Sequence, residues 1–335
     1  LAFRNMRVWR YLEEVVKAGS VRHAAERLYV TPSALLRRIQ DIEFDLGTPL
    51  FERNASGVQL TAAGELFIGW VRTQNAELQR VCSQIEELSG LRRGEIRIHV
   101  SQAAARSLLL EEINRFRAQH PLVKFKVTVS DHDTAMRAMT QYETDLILVF
   151  RPVHAAELQP LMSIGQGMVA VMAHDHPLAE KAVLRLRECL QYDIALPDTS
   201  FSGRQVIDEV LSRGTARVNP VMEANSFELL SDFVRHSNAL TFQIDIGARL
   251  WRDDPTLAVR PLDNVDSAHG PLVLGQLRGR NLPVAAAKFA EQLARRLDDM
   301  RSLPLAGGDG EAPRGKPDAG DDDAGDAPVP LLRTA

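Results

Sequence analysis

The sequence predicts an α+β chain of several units: a small helical unit at the N-terminus, one long helix, and two α/β lobes. Three observations carry that prediction. Residues 20–60 join two short, well-capped helices to two extended pieces. Residues 62–88 place apolar side chains at three- and four-residue steps. From residue 94 onward, short apolar strands alternate with amphipathic helices, the pattern of βαβ units. The 335 residues suffice for two or three such units, and a 45% hydrophobic content is that of a globular chain.

In the first unit, Ser20 can cap a helix that puts Ala24, Ala25 and Leu28 on one face. Tyr29-Val30 makes a turn. Thr31 can cap a second helix with Pro32 at its first position, where the missing N–H costs nothing. The small alanines let the helices approach, and Val30, Leu35 and Ile39 can pin them together. The exposed start of the second helix then carries Ser33, Leu36, Arg37 and Arg38. Small polar groups and arginines at a helix N-terminus are what reading a DNA major groove requires; an ordinary helical hairpin with a basic face satisfies the same pattern. The second helix ends at Gly47, a suitable left-handed stop. Pro49–Arg53 and Val58–Leu60 are extended and Asn54–Gly57 is a turn, so a hairpin wing follows the helix-turn-helix. Arg53 could reach a phosphate or the minor groove from it, or simply pair with Glu52.

Residues 6–64 resemble the winged helix-turn-helix of the LysR-type transcriptional regulators. The matching motifs are Gly19-Ser20, Ala24-Ala25-Glu26-Arg27-Leu28, Thr31-Pro32-Ser33-Ala34, Arg37, Leu46-Gly47-Thr48-Pro49-Leu50-Phe51-Glu52-Arg53 and Leu60-Thr61-Ala62-Ala63-Gly64. The family often has Gln where Pro32 stands and usually Ser where Leu36 stands. Leu36 can neither donate nor accept a hydrogen bond but could meet a thymine methyl. The resemblance implies DNA contacts from Thr31, Pro32, Ser33, Leu36, Arg37, Arg38 and Arg53. Met6-Arg7-Val8-Trp9 is similar to the family's usual start, so residues 1–5 read as an extension.

Thr61 can cap the long helix at 62–89. Phe67, Trp70, Leu78, Val81, Ile85 and Leu88 form a narrow seam on it, and 27 residues make a helix roughly 40 Å long. Such a seam suits pairing with a second copy, with packing on its own domain as the alternative. In the family this is the linker helix that pairs two subunits. Residues 89–94 read as a hinge.

Strands are expected at Glu95–Val100, Val123–Val129, Asp145–Phe150, Met168–Ala173, Tyr192–Leu196, Val218–Ala224, Ala239–Ile244 and Leu272–Leu277, giving a largely parallel sheet in each of two lobes. The lobes are expected at about 94–162 with 270–302, and at about 163–269, with a cleft between them where open α/β sheets hold ligands. Arg115–Pro121, Asp145–Val149 and His176-Pro177-Leu178-Ala179 resemble the effector domain of the same family, which is similar to periplasmic binding proteins. From strand ends and loops, Ser101, Gln102, Ser130, Arg151, Ser202, Arg204 and Phe242 are candidate effector contacts. Arg151 and Arg204 could pair with a carboxylate, which would make the effector anionic; loop polarity and helix capping explain the same residues without a ligand.

The formal net charge of −4 argues against indiscriminate coating of nucleic acid, yet much of the acidic excess lies in the last residues. Residues 303–335 are dominated by Gly, Pro, Ala and Asp and should be a disordered acidic tail. Cys82 and Cys189 lack metal-ligand spacing and read as reduced thiols. No apolar run approaches ~18 residues, and no secretion signal opens the chain. Gly165-Gln166-Gly167 is no phosphate loop, and Asp131-His132-Asp133 and His174-Asp175-His176 are too local for a metal site. No catalytic constellation stands out and no cofactor is expected beyond a small-molecule co-inducer. The resemblance implies a cytoplasmic, nucleoid-associated bacterial regulator. Its partners would be double-stranded operator DNA, an effector, its own copies as dimer or tetramer, and RNA polymerase, with no membrane. The rival reading is a small-molecule receptor or enzyme on a binding-protein fold, for which residues 20–53 would be superfluous.

Overall fold

A computed structural model describes residues 2–54, 57–88, 93–152, 156–199, 201–212, 219–263 and 270–301. Helix α1 (Ala2–Ala18) begins before Met6 and stops at Gly19, whose φ of +61° is left-handed. The Ser20 hydroxyl accepts from the His23 N–H at 3.4 Å and caps α2 (Val21–Arg27). Tyr29 turns the chain with φ +55°, unusual outside glycine. Thr31 Oγ1 accepts from the Ala34 N–H at 3.2 Å to cap α3 (Pro32–Leu46), which Gly47 ends at φ +69°. Strands β1 (Phe51–Asn54) and β2 (Gly57–Leu60) pair antiparallel as the wing. Glu43 Oε1 anchors that wing to α3 by accepting from the Leu50 and Phe51 N–H groups at 2.7 and 3.1 Å. Leu12, Val15, Ala24, Ala25, Leu35, Ile39, Leu50 and Ile68 form the core of this unit.

Helix α4 (Ala62–Leu88) crosses the wing at Gly64, where a Cβ would lie 2.0 Å from the Leu50 carbonyl oxygen, so only glycine permits the contact. Its buried positions are Gly64, Ile68, Val71 and Ala76. The expected seam is therefore divided. Phe67 packs partly into the winged unit and Leu78 faces a cavity within the same chain. Trp70, Val81, Ile85 and Leu88 are exposed, Leu88 to 89%, together with Leu66 at the other end. A helix serving its own domain and a second surface must bury different faces in its two halves.

After β3 (Gly94–Val100), α5 (Gln102–Ala104), a π-helical turn (Ala105–Leu109) and α6 (Leu110–Gln119) make one helical run. Then come β4 (Val123–Val129), α7 (His132–Thr140), β5 (Leu146–Phe150) and β6 (Leu158–Gln166). The second lobe holds β7 (Met168–Ala173), α8 (Leu186–Cys189), β8 (Ile194–Pro197), α9 (Ser202–Ser212), β9 (Met222–Ala224), α10 (Phe227–Arg235), β10 (Leu240–Ile244), α11 (Asp245–Arg252) and β11 (Leu257–Pro261). The chain returns through β12 (Gly270–Leu277) to α12 (Val284–Arg301). The sheet orders are β4-β3-β5-β12-β6 and β11-β7-β10-β8-β9.

Each sheet is largely parallel, with four strands in one direction and a single reversed strand. Strands β3, β4 and β5 are parallel, but β12 runs antiparallel to β5 and β6. Strand β7 runs antiparallel to β10 and β11. A strand that returns from the other lobe enters its sheet from the opposite end, which sets this reversal. The first sheet extends to Gln166, so the chain changes lobes at Gly167 rather than at 162.

The first lobe is locked by a buried charge cluster. Asp145, 1% exposed, accepts from the backbone N–H and guanidinium of Arg97 and from Arg280 Nη2 at 2.5 Å, tying β3, the entry to β5 and the loop after β12 together. Residues 89–92 of the expected hinge and the tail from 302 lie outside the described residues.

Candidate nucleic-acid interface and effector cleft

The N-terminal end of α3 is presented to solvent because Leu35 and Ile39 bury its opposite face. Thr31, Pro32, Ser33, Arg37 and Arg38 are exposed and Leu36 is half-buried. Thr31 Oγ1 lies 3.2 Å from Ser33 Oγ, so the two hydroxyls hold each other in place. Arg38 reaches Asp41 at 3.8 Å, whereas Arg37 has no acidic partner among the described residues. An unpaired guanidinium beside a helix N-terminus is suited to a guanine edge or a phosphate. Arg53 pairs with Val58 through the wing backbone, and its side chain lies outside the described residues. The wing is held against the reading unit by the Val58 N–H, which donates to Gly19 O at 3.0 Å.

Between the lobes lies a cavity of about 310 Å³. The first lobe supplies Ser101, Gln102 and Ser130 at the carboxyl ends of β3 and β4, as the sequence indicated. Their positions are fixed by the sheet: the Ser101 N–H donates to Leu148 O and the Ser130 N–H to Val100 O. Ser101 Oγ and Gln102 Oε1 are buried without a hydrogen-bond partner, which is costly unless something fills the cleft. Ser130 Oγ lies 3.0 Å from His99 Nδ1. Burial holds His99 below the ordinary histidine value and favours a neutral ring.

The second lobe contributes Phe201, Asn225, Phe227 and Gln243. The rings of Phe201 and Phe227 meet edge to face at 4.9 Å, an apolar wall opposite the serines. Asp131 is the charged residue of the lining; burial would raise its carboxyl, but the Thr134 N–H and hydroxyl both donate to it and hold it below its ordinary value.

Other expected contacts are placed elsewhere. Phe242 is 1% exposed and belongs to the core, because alternation along β10 turns its neighbour Gln243 to the cleft. Arg204 is consumed by Asp208, Glu223 and Pro197 O, all at 2.7–2.8 Å. Arg151, at φ +44°, pairs with Glu209 across the lobes at 2.8 Å. The Ser202 side chain lies outside the described residues. With both arginines so engaged, no cation is among the described residues lining the cleft. The sequence reading missed a second bridge between the lobes, Arg106 to Glu228 at 2.6 Å. It also missed Asn225 and Phe227, because single loop residues far apart in sequence carry no spacing signal.

Among the described residues, no helix is long and apolar enough to cross a membrane, and no group of three or more His, Cys, Asp or Glu residues is placed to hold a metal.

Relatives share this organisation. The chain is 28% identical over 264 residues to a probable RuBisCO transcriptional regulator of Synechocystis, covering 77% of this chain and 76% of that one. It is 24% identical over 295 residues to the RuBisCO operon transcriptional regulator of Allochromatium vinosum, covering 86% and 94%. Among solved structures, a full-length OxyR variant from Pseudomonas aeruginosa superposes with a TM-score of 0.63 at 18% identity, covering 86% of this chain and 94% of that one. Full-length CbnR in complex with its target DNA superposes with a TM-score of 0.56 at 18% identity, covering 87% and 99%. Residues 6–65 match the bacterial regulatory helix-turn-helix protein model of the lysR family and residues 89–298 match the LysR substrate binding domain, so the chain belongs to the LysR family of transcriptional regulators.

Proposed function

We propose that the N-terminal end of α3 enters the major groove of an operator. Ser33 and Arg37 read base edges, Leu36 meets a thymine methyl, and Thr31, Pro32 and Arg38 sit at the groove edge, with Arg53 of the wing on the flanking backbone. The observation that carries this reading is the exposed Thr31–Arg38 face, with Arg37 unpaired among the described residues. Two copies pair through the exposed part of α4, Trp70, Val81 and Ile85, and so set the half-site spacing; a tetramer follows if such dimers associate. The protein acts by binding rather than catalysis, in the bacterial cytoplasm at the nucleoid, and its DNA-bound form engages RNA polymerase.

We further propose that the effector lies in the cleft between the lobes, offering hydrogen bonds to Ser101 and Gln102 and a planar apolar face to Phe201 and Phe227. Asp131 and the absence of a cation among the described lining residues favour an uncharged or amine-bearing ligand over a carboxylate. The effector shifts the protein only by its differential affinity for two lobe arrangements, and the Arg106–Glu228 and Arg151–Glu209 bridges stabilise the one seen here. A gel-shift titration at moderate salt tests the regulator reading. Purified protein should prefer its own upstream intergenic DNA to a scrambled duplex of equal length; equal affinity for both would refute it.

A further inference from the structure

A second and larger cavity, about 710 Å³, lies where α1 and α4 cross the polar face of the first lobe's sheet. It belongs neither to the reading head nor to the effector cleft. Four of its basic side chains come from three elements: Arg10 and Lys17 on α1, Arg72 on α4, and Lys126 on β4. Arg10, Arg72 and Lys126 have no carboxylate within ion-pair distance among the described residues, although the protein elsewhere pairs its arginines freely. The acids in the lining are Glu13, Glu95 and Glu143. Glu143 is taken by Lys17 at 3.3 Å, and Glu13 accepts from Asn75 at 3.2 Å. Burial raises the Glu13 carboxyl above its ordinary value, and Lys17 and Arg72 nearby oppose that rise. Arg97 also faces the space but is held by Asp145.

Two further features mark this space as more than a gap. Tyr142 adopts φ +58°, a costly conformation for a non-glycine residue, and its hydroxyl reaches across to Thr73 Oγ1 at 3.0 Å. His99, which lines the cavity, also contacts Ser130 of the effector cleft, so one hydrogen bond links the two spaces.

We propose that this cavity is a second binding site, for a small polyanion held jointly by Arg10, Arg72 and Lys126. Phosphate and carboxylate groups share the required chemistry, since each accepts several charge-assisted hydrogen bonds from guanidinium and ammonium donors. An occupant ties the winged unit and α4 to the first lobe. It thereby favours one placement of the reading heads, and His99 relays its presence to the cleft through Ser130.

Isothermal titration of the full-length protein with inorganic pyrophosphate, and separately with citrate, tests this. Binding is expected in the wild type and in Arg37→Ala, and about tenfold weaker binding in Lys126→Ala and in Arg72→Ala, with recovery in Lys126→Arg. Tighter pyrophosphate binding assigns the head group to phosphate, and tighter citrate binding to carboxylate. Absence of binding by both anions overturns the proposal. So does binding lost in Arg37→Ala but kept in Lys126→Ala and Arg72→Ala, which would place the anion on the DNA face. Operator affinity of the same variants without anion, expected to match the wild type for Lys126→Ala and Arg72→Ala, reports on folding and on the regulator reading independently.

Discussion

Ser33, Leu36 and Arg37 reach the proposed reading face from a single helix within five residues of sequence, whereas Ser101, Ser130, Phe227 and Gln243 reach the cleft between the lobes from four separate strand and helix ends. The two sites also treat charge differently. Among the described residues Arg37 has no acidic partner, while Arg151 and Arg204 near the cleft are each bound to carboxylates. A polyanionic duplex needs available cations, and a small ligand with few charges needs a cavity from which stray cations have been withdrawn. Polar side chains differ too: the exposed Thr31 and Ser33 hydroxyls pair with each other, and the cleft leaves the buried Ser101 Oγ and Gln102 Oε1 open.

Substitutions that act on one site and spare the other sharpen this contrast. The largest effect is expected from Asp145→Ala, which strands Arg280, only 3% exposed on its side chain, without its carboxylate. Loss of about 3–5 kcal/mol in the denaturant stability of the effector lobes is expected, with the winged unit's helical signal retained. Next is Gly64→Ala. Its methyl would meet the Leu50 carbonyl, and a loss of about 3 kcal/mol confined to the winged unit should abolish operator binding while the lobes unfold at their usual midpoint.

Smaller and opposite in sign is Gln102→Met. It replaces an unpartnered buried oxygen, so the unliganded protein should gain about 0.5–1 kcal/mol in thermal stability while losing its response to effector. A drop in stability would show that Gln102 is a structural group. The smallest effect is from pH. Burial holds His99 and His176 below the ordinary value of 6.5. The unfolded chain therefore takes up protons first as pH falls below about 6.5. Stability of the lobes should decline from there until the depressed folded values are passed and then level off, as urea midpoints between pH 7 and pH 5 will register.

Much of the N-terminal unit was legible because its signals are local: Ser20 and Thr31 cap, Gly47 stops a helix, and Pro32 sits where its ring is tolerated. The lobes were legible as strands and helices but less so as sheets. Strand β6 contains Pro160 and Gly165 and is not among the expected strands, yet it pairs along β12 at the sheet edge, where proline is tolerated. Strand β11 is likewise an edge strand that ends on Pro261. On α4 the three- and four-residue spacing revealed an apolar seam but not which part of it the chain keeps for itself. Gly64 and Ile68, buried against the wing, could be separated from Trp70 and Ile85 only by tertiary packing. In the cleft, the residues at parallel strand ends were legible by rule. The fates of Arg151, Arg204 and Phe242 were set by the nearest carboxylates and by strand alternation, and neither is a property of spacing.

The claim that the start of α3 is the reading head rests most directly on Arg37. The ratio of operator to scrambled-duplex affinity should be measured for the wild type and for Arg37→Ala at one salt concentration. Loss of a specific base contact predicts a fall in that ratio equivalent to about 1–3 kcal/mol. Equal weakening on both duplexes, with the ratio unchanged, would reduce Arg37 to a phosphate contact and contradict the assignment.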